Sequence, residues 1–305
     1  MTLSTSTQSD RHDSTPIPGA GASVASGILW MLLTTLLFVC QDSTARILVA
    51  RYPATEVAFM RYFVHFALVG AFLALRAPRL LRSRRPVLQL TRSSFLLANT
   101  LFGMMALKIM PFLDFSAVVW VAPVLVTALS IVVLHEKVSL TGWISVFIGL
   151  AGVWIIVVGA GFDVSALMIL PLMAALTNAL YQIATRFLRT ADAPLTTLFY
   201  TAIAGTAFCA LFLPFSAVRP APADLALMTL LGVLGVASHF CIIRAFAAAP
   251  ANVIAPFGYT ALLWASLFSV VIFAEIPTLR TIIGSCLIVG AGLAIFFGPR
   301  AKRSV

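Results

Sequence analysis

Long apolar stretches, separated by short polar connections, make up most of the chain. Ten stretches with few charges follow one another, and none shows the alternation of apolar and polar residues that is typical of a strand in a membrane barrel. A helix needs about 20 apolar residues to cross the hydrocarbon core of a bilayer. The pattern predicts an all-α membrane protein with ten transmembrane helices, over residues 14–41, 62–75, 93–107, 115–134, 138–162, 164–185, 193–218, 225–243, 245–274 and 281–299.

Two of these stretches are short, and the chain before the first one is polar. We extend the second stretch back to Thr55, so that it contains Arg61, and the third forward to Lys108. Residues 1–23 are rich in Ser, Thr, Pro and Gly, which predicts a disordered tail. The apolar run from Val24 lacks the cleavage motif of a signal peptide, so it is predicted to remain as a membrane helix.

Composition supports a membrane location. Of the 305 residues, 61% are apolar and 10% are charged, whereas about a quarter of the residues in a soluble protein are charged. The net charge of +10 lies mostly in the connections, where Lys and Arg determine topology. With the N-terminus inside, the inner segments, including the one that holds Arg92, carry 13 Lys and Arg against five outside. We expect a bacterial inner-membrane protein in the lipid bilayer, with both termini cytoplasmic and no nucleic-acid partner.

Signatures of catalysis and of cofactor binding are missing from the sequence. There is no HExxH, GxSxG or GxxxxGK motif and no CxxC pair. We therefore expect neither an enzyme nor a cofactor nor a metal site. The cysteines all lie in apolar runs and are predicted to be buried small residues: Cys40, Cys209, Cys241 and Cys286.

The two halves of the chain repeat each other at an offset of 139 to 140 residues. Pro111 matches Pro250 and Glu136 matches Glu275 at the same offset, each where an apolar run ends. Each repeat holds five predicted spans, an odd number, so equivalent helices must cross the membrane in opposite directions. Inverted repeats typically form a substrate site at their interface and open it to either side in turn. A duplication that only stabilises a membrane scaffold is the alternative.

The repeat sets the domain boundaries. We place a disordered cytoplasmic tail at 1–23, the first five-helix repeat at 24–160, the second at 161–298, and a short basic cytoplasmic tail at 299–305.

Several segments resemble the EamA family of the drug/metabolite transporter superfamily, over about residues 24–298. They are LHEKVSL with Glu136, FAEIPTL with Glu275, AFMRYF with Arg61, and RAFAAAPANVIAPFGYTALLWA from Arg244. The resemblance implies ten helices, cytoplasmic termini, and transport of amino acids or other small metabolites without ATP. It does not fix the substrate.

Comparison of the halves also makes predictions about individual helices. In the alignment of the two halves, Pro123 of the fourth span corresponds to Leu262 of the ninth. The kink that Pro123 predicts in the fourth span is therefore expected to be displaced toward Pro256 in the ninth. The fifth and tenth spans are rich in Gly and Ala, carry no deep charge, and are predicted to pack closely as supports.

Charged residues at the ends of the spans have structural interpretations. Lys108 and Asp114 flank Pro111 and are predicted to form a solvated turn. The matched acids Glu136 and Glu275 are expected to hold helix ends or turns, not to bind substrate.

Three ionisable residues inside or near the spans are candidates for coupling or electrostatic roles. Charge within a membrane helix costs about 2.5–3.5 kcal/mol at the centre, so each requires a reason. Asp42, near the outer end of the first helix, is either a coupling carboxylate, an anchor for an amine, or part of a solvated helix end. Arg61 is expected to face the bundle and bind a carboxylate or carbonyls of a neighbouring helix, or the substrate. His239 is either a proton-exchange group or a structural histidine.

Uncharged polar and aromatic residues within the spans form a candidate binding set. Trp120 and Tyr259 are repeat mates at offset 139, which favours a shared, symmetric cavity. Interhelical hydrogen bonding or an aromatic interface belt is the alternative. Such a cavity suits a neutral or zwitterionic solute, including a flat heterocycle, since a strongly anionic one requires more buried cations than Arg61. The set is Gln41, Asn99, Trp120, Asn178, Tyr181, Gln182, His239, Tyr259 and Trp264, of which Asn178, Tyr181 and Gln182 share one helical stripe.

The leading hypothesis from the sequence is a secondary transporter that moves a small polar metabolite by alternating access. Riboflavin, an amino acid and an adenosyl compound are all open as substrates, and either protons or substrate exchange are open as the driving force. A membrane scaffold and an intramembrane enzyme are the alternatives in other classes. The oligomeric state is also open, with a homodimer among the arrangements.

Overall fold

The computed structural model describes residues 20–134, 139–159, 169–188 and 191–297, and within these ranges all regular structure is helical. Glu136, the predicted C-terminal tail and residues 1–19 of the predicted N-terminal tail lie outside the described residues. The helices are α1 Ala20–Val49, α2 Ala54–Arg76, α3 Pro86–Leu107, α4 Phe112–Val119, α5 Ala122–Leu134, α6 Leu140–Gly159, α7 Ile169–Leu188, α8 Pro194–Ser216, α9 Pro222–Ala248, α10 Ala251–Ile254, α11 Thr260–Val271 and α12 Leu279–Phe297, with 3₁₀ turns at Pro78–Leu81 and Ala255–Tyr259.

Seven of the described helical segments are long and apolar enough to cross a membrane. Two further helices, α3 and α7, carry polar residues such as Gln89 and Arg92, or Asn178 and Gln182, which lower their hydropathy. The seven are Val24–Val49, Ala54–Arg76, Phe112–Ser130, Leu140–Val158, Pro194–Ser216, Pro222–Ala248 and Leu279–Phe297.

Two helix boundaries differ from the sequence prediction in ways that move charged residues into the bundle. Helix α1 continues to Val49, so Asp42 lies about two turns inside the helix, and its interpretation as part of a solvated helix end is wrong. Helix α3 begins at Pro86, because proline is favoured in the first turn of a helix. Arg92, which the sequence analysis placed in an inner connection, is therefore a helical residue with only 4% of its surface exposed.

The helices of the fourth and ninth predicted spans are both interrupted. In the first half, α4 ends at Val119 and α5 begins at Ala122, immediately before Pro123. In the second half, the 3₁₀ turn Ala255–Tyr259, which contains Pro256, separates α10 from α11. The interruption of the ninth span thus lies at Pro256, where the sequence analysis expects it, and each interruption carries one of the aromatic repeat mates.

Four pairs of helices make the main contacts of the bundle: α1 with α9, α3 with α7, α2 with α8, and α6 with α12. The last pair comes so close that a Cβ atom on Gly152 would lie 2.7 Å from the carbonyl oxygen of Gly284. The prediction that these glycine-rich helices pack closely is confirmed.

The outer surface of the bundle is apolar, as a lipid-facing surface requires. Large side chains such as Phe72, Trp154 and Leu211 are exposed there. Of the cysteines, Cys209 and Cys241 are buried and Cys40 is half-buried, but Cys286 is exposed, so the prediction of burial is wrong for that residue. Cys286 lies on α12, whose opposite face packs on α6.

Candidate functional site

Polar side chains from α1 and α2 pack around Gly235 of α9, where the absence of a side chain lets the helices approach. A Cβ atom on Gly235 would lie 3.3 Å from Oε1 of Gln41, 4.0 Å from Nε of Arg61 and 4.0 Å from Nδ1 of His65. His239, one turn after Gly235 on α9, places its ring 6.1 Å from that of His65. We call Gln41, Arg61, His65 and His239 the polar cluster.

In the polar cluster Gln41 and His65 are buried, Arg61 and His239 are half-buried, and the cluster is only partly paired. Gln41 is 2% exposed, and its Oε1 has no hydrogen-bond partner among the described residues. The guanidinium of Arg61 lies 5.5 Å from the centre of the Tyr62 ring, and within the described part of the chain it makes no hydrogen bond or ion pair. Because unpaired polar groups inside a protein are costly, these atoms require partners from water or a solute.

Asp42 follows Gln41 on α1 and is half-buried. Its carboxylate interacts electrostatically with Arg61, although the two form no ion pair within 4 Å in the described structure. The nearest nitrogen of Arg61 and oxygen of Asp42 are therefore more than 4 Å apart.

Arg92 on α3 is a buried cation, and each of its three nitrogens donates at least one hydrogen bond. Its Nε donates to Oγ1 of Thr185 at 2.6 Å, one terminal nitrogen donates to Oγ1 of Thr201 at 2.8 Å, and the other donates to the hydroxyl of Tyr181 at 2.6 Å. The guanidinium also lies 4.4 Å from the centre of the Tyr181 ring. Arg92 thus joins α3 to α7 and α8 through neutral groups.

The two helix interruptions bring Trp120 and Tyr259 together, with ring centres 6.0 Å apart. Gly258 lies against the Trp120 ring, and the Tyr259 hydroxyl fits against Gly292 of α12. That hydroxyl is buried and has no partner among the described residues. The repeat mates thus lie side by side, and the shared cavity that their correspondence favours stays a prediction.

The remaining candidates are distributed over the bundle. Trp264 packs against the same apolar core as Trp120 and Tyr181, and its Nε1 is buried without a hydrogen-bond partner in the described residues. On α7, Nε2 of Gln182 donates to Oδ1 of Asn178 at 3.5 Å. Asn178 and, on α3, Asn99 are half-buried, whereas Gln182 is exposed. Of the residues predicted to share one stripe of α7, Tyr181 contacts Arg92, whereas the amide of Gln182 is exposed.

Sequence reasoning omitted Arg92 and His65 from the candidate set. A helix start at Pro86 was the available signal for Arg92, because it places the residue within a span instead of a connection. His65 carried no signal beyond its position in an apolar run.

Glu275 confirms its predicted role in holding helix ends. It receives two bonds from the guanidinium of Arg46, at the end of α1, and one from the backbone N–H of Phe112, at the start of α4. Burial opposes ionisation, but these bonds and the charge of Arg46 outweigh it and hold the pKa of Glu275 below its ordinary value.

Two other acids anchor connections in equivalent places of the two halves. Asp192, between α7 and α8, accepts bonds from Ser83, from the backbone N–H of Arg84 and from Gln89, near the start of α3. These bonds outweigh partial burial and lower the pKa of Asp192. The other anchor joins Arg51 and Tyr52, between α1 and α2, to Asp224 at the start of α9, with distances of 2.9 Å.

The turn at Pro111 is not solvated as predicted. Lys108 is exposed, but Asp114 is 6% exposed and accepts a hydrogen bond from Oγ1 of Thr281 at 2.7 Å. The reason is that α4 packs against α12, which covers the carboxylate.

The chain is similar to known membrane transporters over most of its length. It is 25% identical over 280 residues to the S-adenosylmethionine uptake transporter of Rickettsia prowazekii (strain Madrid E), covering 92% of this chain and 95% of that protein. It is 26% identical over 268 residues to the riboflavin transporter of Vibrio cholerae serotype O1, covering 86% and 90%. A solved crystal structure with 20% identity shares the fold, with a TM-score of 0.61 over 90% of this chain and 96% of that one.

The family assignment rests on both halves of the chain. Residues 25–158 and 165–297 each match the sequence profile of the EamA-like transporter family. These relatives are transporters and not enzymes, and they are proteins of the membrane. The chain therefore belongs to the EamA-like transporter family, as an integral protein of a bacterial inner membrane.

Proposed function

We propose that the chain is a secondary transporter that carries a small polar metabolite by alternating access, and that an adenosyl compound is the first substrate to test. The observation that carries the proposal is the polar cluster, to which both halves contribute, with the buried acceptor of Gln41 left unpaired among the described residues. A scaffold has no need of unpaired polar groups inside it.

Alternating access rests on a symmetric arrangement of two inverted five-span halves. Under the repeat, α1 corresponds to α7 and α3 to α9, so the contacts of α1 with α9 and of α7 with α3 exchange with each other. The pairs α2 with α8 and α6 with α12 each map onto themselves. An approximate two-fold axis between the halves accounts for all four pairs, and five spans per half make the halves inverted.

Ten spans follow if α3, α7 and the interrupted α10–α11 segment also cross the membrane. Their polar residues bind inside the bundle, as Arg92 does, and so need not face lipid. Interrupted helices at membrane depth are typical of transporter sites, where they line a cavity.

The choice of an adenosyl compound combines the site with the relatives. Trp120 and Tyr259 supply aromatic surfaces for a flat heterocycle, and Trp264 supplies a ring N–H. Relatives named as S-adenosylmethionine uptake transporters match 90–92% of this chain, and the Vibrio cholerae riboflavin transporter matches 86%. Riboflavin is therefore the second substrate to test.

The test is counterflow in proteoliposomes. Vesicles loaded with unlabelled S-adenosylmethionine should accumulate external labelled S-adenosylmethionine transiently, and protein-free vesicles should not. Trp154→Phe, on the exposed surface, is the control variant and should retain flux. If neither S-adenosylmethionine, riboflavin nor an amino acid shows protein-dependent flux, the proposal of transport is wrong.

A further inference from the structure

We propose that Arg61 and Gln41 form the subsite for an α-amino acid group of the substrate, with the carboxylate on Arg61 and the ammonium between Gln41 and Asp42. This inference rests on the proposed transport function and specifies the substrate class. It predicts that a zwitterionic headgroup, and not a heterocycle alone, determines recognition.

The donors of the half-buried Arg61 have no partner among the described residues, whereas each nitrogen of the buried Arg92 donates a hydrogen bond. Arg92 spends its three nitrogens on Thr185, Thr201 and Tyr181. Arg61 makes no hydrogen bond or ion pair within the described residues, and its Nε lies 4.0 Å from where a Cβ atom on Gly235 would be. A guanidinium presents paired N–H donors whose geometry matches a carboxylate, with which it forms two parallel bonds.

The charges around Arg61 call for an anion. Arg61 and Arg92 both act on His239 electrostatically, and Asp42 acts on Arg61 without forming an ion pair with it. A cation in a low-dielectric interior is stabilised only when it is paired.

The acceptors on α1 call for a cation beside that anion. Oε1 of Gln41 is buried and unpaired in the described structure, and it can only accept a hydrogen bond. The carboxylate of Asp42 is the next side chain along α1. An ammonium supplies donors to both, so donors on α2 and acceptors on α1 together match a zwitterion.

The aromatic pair lies at a suitable distance from this subsite. Thr35 of α1 bonds to Thr260, the residue after Tyr259, with 2.9 Å between the hydroxyl oxygens. Thr35 precedes Gln41 by six residues, a rise of about 9 Å along the helix. A solute with a zwitterionic head and a flat ring about this far apart can reach both places.

The experiment compares matched competitors of labelled S-adenosylmethionine flux in proteoliposomes. S-adenosylhomocysteine carries the α-amino acid group, and 5′-methylthioadenosine is the corresponding adenosyl compound without it. We expect half-maximal inhibition by 5′-methylthioadenosine to require a concentration about 10- to 100-fold higher than that of S-adenosylhomocysteine. This is the loss of affinity expected when one charge-assisted contact is removed.

Arg61→Gln provides the second arm. It should raise the KM for S-adenosylmethionine about 10- to 100-fold and leave inhibition by 5′-methylthioadenosine unchanged, while Arg61→Lys has a smaller effect. The control is Arg76→Gln, at the exposed end of α2, which should change neither quantity. Thermal unfolding of Arg61→Gln should match that of the wild type, since Arg61 makes no hydrogen bond in the described structure.

The outcomes separate this inference from the transport proposal. If both competitors inhibit flux through the wild type equally, the headgroup subsite is overturned and transport still stands. The same conclusion follows if the protein carries riboflavin and neither S-adenosylmethionine nor amino acids inhibit that flux. A variant Arg61→Gln that weakens both competitors equally assigns Arg61 to structure and also overturns it. Absence of protein-dependent flux for every solute overturns both.

Discussion

Single residues in this protein have packing roles that their positions along a helix do not indicate. Gly292 is a clear case, because α12 has no side chain at the point where the hydroxyl of Tyr259 lies. A Cβ atom there would be 1.5 Å from that hydroxyl oxygen, so the interrupted ninth span and α12 can approach only over a glycine.

Gly292→Ala should therefore displace Tyr259 from Trp120 and lower the free energy of unfolding by about 1–3 kcal/mol, as overpacking does. Flux should fall with it, since the aromatic pair is part of the proposed site. The matched control is Gly290→Ala on the same helix, where a Cβ atom meets nothing within 4 Å. Thermal unfolding in detergent and counterflow check both variants, and equal stability of the two would contradict the packing described for Tyr259.

Asp42 and His239 are the residues on which a proton-coupling role depends. If protons drive transport, Asp42→Asn and His239→Gln should each change the pH dependence of flux, because each removes a titratable group next to Arg61. Flux measured from pH 5 to pH 8 with an imposed proton gradient checks this. An unchanged profile in both variants would remove them from coupling.

The residues of the site were predictable only where the repeat or an apolar run pointed to them. Trp120 and Tyr259 could be paired from the sequence because they are repeat mates. The contact of Arg61 and Gln41 at Gly235 could not, because periodicity gives the face of a helix but not which helix that face meets. The same limit concealed the partners of Arg92, which come from α7 and α8.

At the scale of helices, acidic side chains hold the connections by accepting bonds from backbone N–H groups and from polar side chains. Glu275 joins the end of α1 to the start of α4, and Asp192 joins the connection before α8 to the start of α3. Each is ionised more readily than an ordinary carboxyl group, because bonds to it favour its charged form.

Glu275→Gln should lower the free energy of unfolding by about 1 kcal/mol at neutral pH, a modest value because the ion pair with Arg46 is partly exposed. Since the folded-state pKa of Glu275 is lowered, its contribution is present at neutral pH and is lost as the pH falls through that lowered value. Wild type and variant should therefore converge below about pH 4. Unfolding measured from pH 3 to pH 7 checks this, with Arg219→Gln, an exposed residue, as the neutral control.

The positions of most helices could be predicted from the apolar runs, but their ends could not. The run that ended at Gln41 by composition continues as helix to Val49, because Asp42 is half-buried and Arg46 bonds to Glu275 instead of facing lipid. Tertiary contacts can thus continue a helix past charged residues at which a prediction from hydropathy would end it.

At the scale of the whole molecule, the exchange of helix pairs between halves makes a prediction about topology. If the halves are inverted, the equivalent connections before α2 and before α8 must lie on opposite sides of the membrane. In a variant whose cysteines are replaced by serine, Arg51→Cys should react with a membrane-impermeant thiol reagent in intact cells, and Pro194→Cys should react only after permeabilisation. Both positions are exposed in the structure. Labelling of both from the same side would contradict the inverted arrangement.

The pairing of α1 with α9 also bears on how the protein is made. Helix α1, with Gln41 and Asp42 on it, ends at Val49, and α9 begins only at Pro222. At about 5–20 residues per second, the ribosome needs roughly 9–35 s to add the intervening chain. During that interval the polar side of α1 lacks its native neighbour, so biogenesis has to shelter this helix until α9 is inserted.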